Sequence, residues 1–311
     1  MPAHLRYQSK SRATHHVVSR CIQGFGFLKP TREIRAITRG VLAYSLEQHQ
    51  ETIKLHHYVF LSNHFHLLLS SKSSPDLAEF MCYFKGNLAR ELARVHNWHG
   101  TLWQKRYSSE EILDEKALEE VFKYITQNSV KEGLVDHPKD WTGLHGYRQL
   151  VMGKKVGGPW VDRTAYYHSV QRREGKLMSE FTTEHQIKLT PPPLWAHLSK
   201  AEYKQLCSKL SAEATRDALL KRGSKPALGM RMVLSENVRK VRLTKHGTRP
   251  LCRTKCIKTL KAYQKLYFEF KAQFQAVSTD LRQAIRLGYD TASICFPAGG
   301  VPMFGGRYSP D

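Results

Sequence analysis

The sequence predicts an α+β fold for residues 1–150, followed by a mainly α-helical, basic C-terminal region. In the first part, apolar residues alternate along short segments and recur every three or four residues along longer ones. These strand and helix signals follow one another in the order β-α-β-β-α-β-α. That order suits a single ferredoxin-like antiparallel sheet with helices on one face.

The predicted strands are short apolar stretches that end at polar or turn residues. Val17-Val18 marks the first of them. The second and third, at 53–61 and 64–71, are expected to form an antiparallel pair around Ser62-Asn63. A fourth strand is expected at 106–113.

The predicted helices begin at residues that favour helix starts. The segments 30–48 and 75–96 both open with a proline that is followed by Thr or Asp. A third helix is expected at 114–130, with Asp114 as its N-cap. Each segment carries apolar residues on one face, so each is expected to pack against the sheet.

Charge is distributed unevenly along the 311 residues. The net charge of +22 divides into +5 for residues 1–150 and +17 for residues 151–311. Such an excess of positive charge is not needed for folding and opposes it slightly by self-repulsion. It is typical of a protein that binds a polyanion. We therefore predict a folded domain at 1–150, a linker with a helix at 151–195 and a basic helical region at 196–311 that binds DNA.

The second half is predicted to be helical. The stretch MGKKVGG at 152–158 indicates a linker, and a helix is expected across 161–180. Longer helices are expected at about 199–222 and 254–288. The last helix carries aromatic and aliphatic residues at helical spacing, which is more typical of a packing seam than of a base-stacking surface.

Composition also restricts the compartment. No apolar run approaches the ~20 residues of a membrane span. The N-terminus lacks the apolar core of a signal peptide, and the six cysteines follow no disulfide framework. A soluble, cytoplasmic protein with no membrane partner is expected.

The candidate active-site residues lie in two segments. His64 and His66 are two apart in a strand, so both point to one face while Phe65 points to the other. Tyr124 and Asn128 are four apart in a helix and share a face. This strand and this helix, placed together, would supply three metal ligands and a nucleophile.

The same segments resemble a known family. NHFHLLL at 63–69 is similar to the His-hydrophobe-His motif of HUH endonucleases. Together with THHVVSR (14–20), TLWQKRY (101–107) and YITQNSVKEGLV (124–135), it follows the order and spacing of single-tyrosine HUH transposases. The closest branch is that of the transposases associated with repetitive extragenic palindromes (REP), and the resemblance covers about residues 5–150.

The resemblance implies the HUH endonuclease fold and a catalytic domain that cleaves and transfers DNA strands. It implies that Tyr124 forms a 5′-phosphotyrosine, and that His64, His66 and Asn128 bind Mg²⁺ or Mn²⁺. The expected partner is single-stranded DNA with a hairpin, such as a REP-like palindrome, in the cytoplasm and nucleoid of a bacterium. A monomer or a homodimer is expected.

Candidate DNA-binding residues lie near the motifs and in the C-terminal region. The adjacent pairs His15-His16 and His56-His57 point to opposite strand faces, so we interpret them as surface or DNA-contact residues rather than metal ligands. The basic candidates are Arg12, Arg20, Arg106, Lys221, Arg222, Arg239, Lys240, Arg242, Lys245 and Arg249.

Two other functions are compatible with these residues. One is a domesticated, sequence-specific nucleic-acid-binding protein that keeps the fold but no longer cleaves. The other is an HUH relaxase or replication initiator. Such proteins usually carry a helicase or primase segment, and the sequence has no phosphate-binding G-x-x-x-x-G-K-S/T motif.

Overall fold

A computed structural model describes residues 7–242 and 250–297. The strands in these ranges are β1 (Ala13–Arg20), β2 (Ile53–Phe60), β3 (His64–Ser71), β4 (Ser108–Ile112), β5 (Gly157–Val161), β6 (Thr182–Gln186) and β7 (Cys252–Arg253). The main sheet has the order β2-β3-β1-β4-β7 and is antiparallel except for the β4–β7 pair. The predicted antiparallel sheet is confirmed, with β7 as an additional strand from the C-terminal half.

The five long helices agree closely with the expected ranges, whereas two short helices were not expected. The helices are α1 (Arg32–Gln48), α2 (Ser74–Val95), α3 (Glu115–Lys131), α4 (Tyr147–Leu150), α5 (Arg163–Gln171), α6 (Lys200–Arg222), α7 (Met230–Ser235) and α8 (Ile257–Leu287). The side chain of Asp114 accepts a hydrogen bond from the amide of Ala117 and so caps α3, as predicted. Within the described ranges, no helix is both long and apolar enough to cross a membrane.

Helices cover both faces of the main sheet, which corrects the expectation of helices on one face. Phe65 and Leu67 of β3 pack in one core with α1 and α2. Leu68 packs in a second core with α3 on the opposite face. The physical reason is the continuous apolar run of β3, because its side chains alternate and both faces therefore need cover.

The segment predicted as a linker with a helix also contains the two-stranded sheet of β5 and β6. This sheet packs on α1, where the rings of Tyr44 and Trp160 stack with centroids 4.5 Å apart. Gly40 permits the close approach, since a Cβ atom there would lie 1.7 Å from the carbonyl oxygen of Pro159. The helix expected across 161–180 is shorter in the structure, where α5 ends at Gln171. An ion pair joins Arg163 at its start to Glu91 of α2.

The C-terminal half packs through its two long helices. Leu210 and Cys207 of α6 share a core with Leu118 of α3, so α6 supports the helix that carries Tyr124. The aromatic stripe of α8 is buried, as predicted for a packing seam. The ring of Tyr263, for example, contacts Tyr7 at a centroid distance of 5.3 Å.

Candidate active site

One face of the central strands presents the candidate residues. His66 faces Tyr124 of α3, His64 lies on the same face of β3, and Phe65 lies in the core on the opposite side, as predicted. In the antiparallel register of β1 and β3, Val18 is paired with His66 and Arg20 with His64. Paired residues share a face, so the alternate residues of β1 also belong to the site.

Helix α3 places Tyr124 directly against this face. The Tyr124 ring lies edge-on to two imidazoles, at centroid distances of 5.3 Å from His66 and 5.9 Å from His16. Asn128, one turn further along α3, is completely buried. The strand and the helix that were predicted to face each other therefore do so.

The orientation of His64 is fixed by Asn63. The amide nitrogen of Asn63 donates to the carbonyl oxygen of Gly24 at 3.2 Å, which turns the amide oxygen toward His64. His64 Nδ1 donates to that oxygen at 2.6 Å. In the neutral imidazole, the proton is then on Nδ1, and the lone pair is on Nε2.

A chain of polar groups fixes the orientation of His66. His66 Nδ1 lies 3.0 Å from His16 Nε2, and His16 Nδ1 lies 3.5 Å from a carboxylate oxygen of Glu110, at the outer limit of a hydrogen bond. The same oxygen accepts a hydrogen bond of 2.6 Å from Nε of Arg253. Glu110, His16 and His66 together are called the positioning chain below.

The positioning chain sets the tautomer of both imidazoles. Burial alone would raise the pKa of Glu110, but hydrogen bonds from His16 and Arg253 lower it below its usual value. An ionised Glu110 only accepts, so His16 carries its proton on Nδ1 and accepts at Nε2. His66 then donates from Nδ1, which leaves the lone pair on Nε2, as in His64.

Sequence reasoning missed His16 and Glu110. His15-His16 was interpreted as a surface or DNA-contact pair, but both residues are buried. The missing information was the strand pairing, which places β1 between β3 and β4 and sets His16 beside Glu110. Strand alternation alone gives two faces and cannot say which of them meets α3.

The pair His56-His57 is also buried, contrary to its interpretation as a surface or DNA-contact pair. His56 Nδ1 lies 2.8 Å from the carbonyl oxygen of Thr190. His57 Nε2 lies 2.9 Å from the hydroxyl of Thr126 in α3. Segments distant in sequence cover this strand, and burial lowers the pKa of His56 to about 4, so it is neutral at pH 7.

A cleft of about 640 Å³ opens beside Tyr124 and His66. Its lining residues come from β1, β3, β4, β7, α3 and α6, so both halves of the chain contribute. Its cationic lining residues are Arg20, Lys123, Lys221 and Arg253, and its acidic ones are Glu110, Glu120 and Asp217. Three of these residues are engaged in ion pairs. Lys123 pairs with Glu213, Arg253 with Glu110, and Glu120 with Lys255.

The Tyr124 phenol is held in its protonated form. Burial raises its pKa, and the nearby carboxylate of Glu132 adds to the rise. The side chain of Asn128 and the charges of Arg20 and Arg253 act in the opposite direction. A nucleophilic role therefore requires that the phenol lose its proton during the attack.

Three side chains on this face could hold a divalent ion. His64 and His66 both carry a lone pair on Nε2, and the carboxamide of Asn128 is buried without a hydrogen bond of standard geometry. Within residues 7–242 and 250–297, no group of three His, Cys, Asp or Glu side chains is arranged for a metal. The set therefore depends on the Asn128 amide oxygen as its third member.

The predicted DNA-binding residues fall into separate groups. Arg20 and Lys221 line the cleft, whereas Arg12 and Arg106 are exposed elsewhere. Arg222 is ion-paired with Asp136. Of the remaining candidates, Arg239 stacks on Trp98 with its guanidinium 5.6 Å from the ring centroid, Lys240 and Arg242 pair with Glu236, and Lys245 and Arg249 lie outside the described residues.

Comparison with known proteins gives one family and several similar structures. Residues 11–128 match the model of the family described as "Transposase IS200 like". A REP-associated tyrosine transposase bound to a REP hairpin is similar at 15% identity and a TM-score of 0.35, over 46% of this chain and 82% of that one. A transposase from Deinococcus radiodurans R1, described as putative, is similar at 18% identity and a TM-score of 0.29, over 38% of this chain and 92% of that one. No curated protein matches the chain.

The matched range begins just before β1 and ends within α3, so it contains His64, His66, Tyr124 and Asn128. It agrees with the resemblance inferred from the motifs, which predicted a single-tyrosine transposase in this part of the chain. Residues 11–128 are thus similar to the IS200-like transposases, a family of DNA-processing enzymes.

Proposed function

We propose that this protein nicks and rejoins single-stranded DNA next to a hairpin, through a covalent intermediate on Tyr124. The observation that carries the proposal is the position of the Tyr124 ring, 5.3 Å from the ring of His66 at the wall of a cleft. A tyrosine that served only in packing would be expected to face apolar neighbours. Tyr124 borders an apolar core, but its ring also faces His16 and His66 of the positioning chain and lines the cleft of about 640 Å³.

In the proposed step, the Tyr124 oxygen attacks the scissile phosphorus. A tyrosine–phosphorus bond forms, the bond from phosphorus to the 3′-oxygen breaks, and the 3′-oxygen leaves as a hydroxyl with a proton. The 5′-phosphotyrosine keeps the energy of the broken phosphodiester, so another 3′-hydroxyl can displace the tyrosine and rejoin the strand. This reversibility suits transposition better than hydrolysis does.

The surrounding residues have distinct roles in this proposal. His64, His66 and Asn128 would hold Mg²⁺ or Mn²⁺. When bound, such an ion supplies Lewis-acid stabilisation of phosphate charge. The charges of Arg20 and Arg253 act on the Tyr124 phenol and favour its deprotonated form.

A single strand is the proposed substrate because the phosphate must reach a half-buried phenol in the wall of the cleft. A flexible strand can enter such a cleft, and cations such as Lys221 at its wall attract the backbone. The hairpin, and its likeness to a REP palindrome, are carried over from the motif resemblance. The basic C-terminal half is proposed to contribute further phosphate contacts.

The proposal is tested by covalent trapping on a denaturing gel. Labelled hairpin DNA with a single-stranded flank is incubated with the full-length protein and Mn²⁺ or Mg²⁺. We expect a DNA-linked band that is absent in Tyr124→Phe and retained in the control Tyr147→Phe, a half-buried tyrosine outside the cleft.

Two outcomes would contradict the proposal. An adduct that persists in Tyr124→Phe would assign the chemistry to another residue. Tight hairpin binding without an adduct under either ion would favour the alternative, a protein that binds DNA without cleaving it.

A further inference from the structure

A second basic cavity lies outside the Tyr124 cleft, at the β2 edge of the main sheet. Residues 142–146 run along this edge, where the Phe60 amide donates to the Leu144 carbonyl and the Gly146 amide to the Tyr58 carbonyl, both at 2.9 Å. Between this segment and α1 is a cavity of about 150 Å³. Five cations line it, and none of its lining residues is acidic: Arg35, Arg39, Arg148, Lys154 and Lys155.

The three arginines are held in place by backbone carbonyls rather than by carboxylates. Nε of Arg35 donates to the carbonyl of Thr31 at 3.4 Å, and Nε of Arg39 donates to the carbonyl of Arg35 at 3.1 Å. A terminal nitrogen of Arg148 donates to the carbonyl of Trp141 at 3.2 Å. Carbonyl contacts orient a guanidinium without cancelling its charge.

The positive charge of the cavity is therefore uncompensated. The ion pairs among the described residues involve none of the five cations. The loop that carries the two lysines is tied back by a hydrogen bond of 2.9 Å from the Lys154 amide to the Arg148 carbonyl. Five like charges around one small space repel one another, which an anion in that space would relieve.

The size of the cavity indicates which anion fits. A volume of about 150 Å³ corresponds to about five water molecules, which is room for one phosphate group. The cavity shares no lining residue with the Tyr124 cleft. It lies beyond β2, roughly 10 Å or two strand spacings from β3, so a phosphate bound there differs from the one at Tyr124.

We infer that this cavity binds a backbone phosphate of the hairpin stem and thereby positions the flanking strand for cleavage. The inference rests on the proposed function, because it assigns a second contact to the same DNA. A rigid stem suits a fixed cluster of arginines, since neither side loses much freedom on binding. Such a contact positions DNA without reading its sequence.

The test compares a cavity variant with a control variant in the same helix. Arg35→Gln/Arg39→Gln removes two cavity charges, and Arg32→Gln removes an exposed charge of α1 that does not line the cavity. Lys154→Gln/Lys155→Gln, in an exposed loop, repeats the test with little risk to folding. Hairpin affinity is measured between about 50 and 200 mM salt, beside the cleavage rate of a stemless single strand.

We expect both double variants to weaken hairpin binding by about tenfold and to reduce the salt slope by about 1, as for one lost phosphate contact. Cleavage of the stemless strand should remain within about twofold of wild type. Arg32→Gln should bind the hairpin nearly as tightly as wild type does. The contact at the cavity is tested by hairpin affinity and not by cleavage. The inference can therefore be correct even if no Tyr124 adduct forms.

Several results would overturn the inference. The inference is wrong if both double variants bind the hairpin as tightly as Arg32→Gln does. It is also wrong if the wild-type protein does not bind the hairpin. A parallel fall in stemless cleavage would place the arginines in the active site instead. A titration with inorganic phosphate completes the test. If the double variants no longer bind phosphate but still bind the hairpin as wild type does, the cavity binds free anions only.

Discussion

His16 Nε2 lies 3.0 Å from His66 Nδ1, and through this contact a proposed metal ligand is joined to the carboxylate of Glu110. The neighbouring ligand is oriented in a similar way, by the amide of Asn63 acting on His64 Nδ1. In both histidines, the group that contacts Nδ1 fixes the tautomer of the imidazole and leaves the lone pair on Nε2. Such outer groups commonly change metal affinity by about 10–100-fold.

His16→Leu should therefore weaken Mn²⁺ binding by about tenfold or more, because His66 loses its acceptor. His16→Gln should retain part of the affinity, since its side-chain oxygen can accept the same hydrogen bond. The Mn²⁺ dissociation constants of both variants can be measured by titration without DNA, with electron paramagnetic resonance reporting the free Mn²⁺.

The matched control for this pair is His15→Gln. His15 is equally buried on the same strand but contacts Gln8 and Ser109 instead of the positioning chain. Its replacement should leave Mn²⁺ affinity unchanged. Equal losses in His15→Gln and His16→Leu would point to general damage of β1, and wild-type affinity in His16→Leu would contradict the positioning role.

Asn128→Asp should bind Mn²⁺ more tightly than wild type, because a carboxylate is a stronger ligand for a hard divalent ion than an amide is. Without metal, the same substitution places an unpaired charge in a buried site and should lower the Tm. Thermal unfolding with and without Mn²⁺ separates the two effects.

Ser129→Asp serves as the control, since Ser129 is equally buried one residue further along α3. It should lose Tm without recovering it when Mn²⁺ is added. If Asn128→Asp likewise shows no recovery with Mn²⁺, Asn128 is a packing residue rather than a ligand.

Gly40→Ala should destabilise the protein by about 1–3 kcal/mol, as overpacked sites do. An alanine normally favours a helix, but here its Cβ would lie 1.7 Å from the Pro159 carbonyl oxygen and force the β5–β6 sheet away from α1. Gly86→Ala is the matched change in α2, where a Cβ meets nothing within 4 Å, and it should stabilise by about 0.5–1 kcal/mol. Urea unfolding of both variants checks the prediction, and a stabilised Gly40→Ala would show that the two elements are not in contact.

The contact between α2 and α5 predicts a pH dependence of stability. Burial would raise the pKa of Glu91, but hydrogen bonds from Arg163 and Arg94 outweigh it and lower the pKa. A carboxylate whose pKa is lower in the folded state stabilises the protein at pH values above its unfolded-state pKa of about 4.3. This stabilisation is lost as the pH falls through the folded-state pKa. Glu91→Gln should be less stable than wild type at neutral pH, with the difference shrinking in acid, as measured by urea unfolding across that range. A difference that does not change with pH would exclude this ion pair as its source.

Local sequence patterns were sufficient for most of the elements. The alternation of β3 and the four-residue spacing of Tyr124 and Asn128 depend on neighbouring residues alone, so they placed the two site segments on the correct faces. The buried stripe of α8 followed in the same way from its helical periodicity.

Contacts between distant segments could not be predicted in this way. Glu110 enters the site through the pairing of β1 with β4, and Arg253 through a two-residue strand with almost no local signal. The β5–β6 sheet escaped prediction because Gly157 and Pro159 weaken its strand pattern. Its support comes from α1 rather than from its own sequence.

Mass spectrometry can identify directly which residue carries the DNA. Trypsin cuts after Lys123 and Lys131, and the peptide between these cuts, YITQNSVK, contains Tyr124 as its only tyrosine. After digestion with trypsin and nuclease, the trapped adduct should yield this peptide with a nucleotide phosphate on Tyr124. A nucleotide on any other peptide, with YITQNSVK recovered unmodified, would contradict the assignment of Tyr124 as the nucleophile.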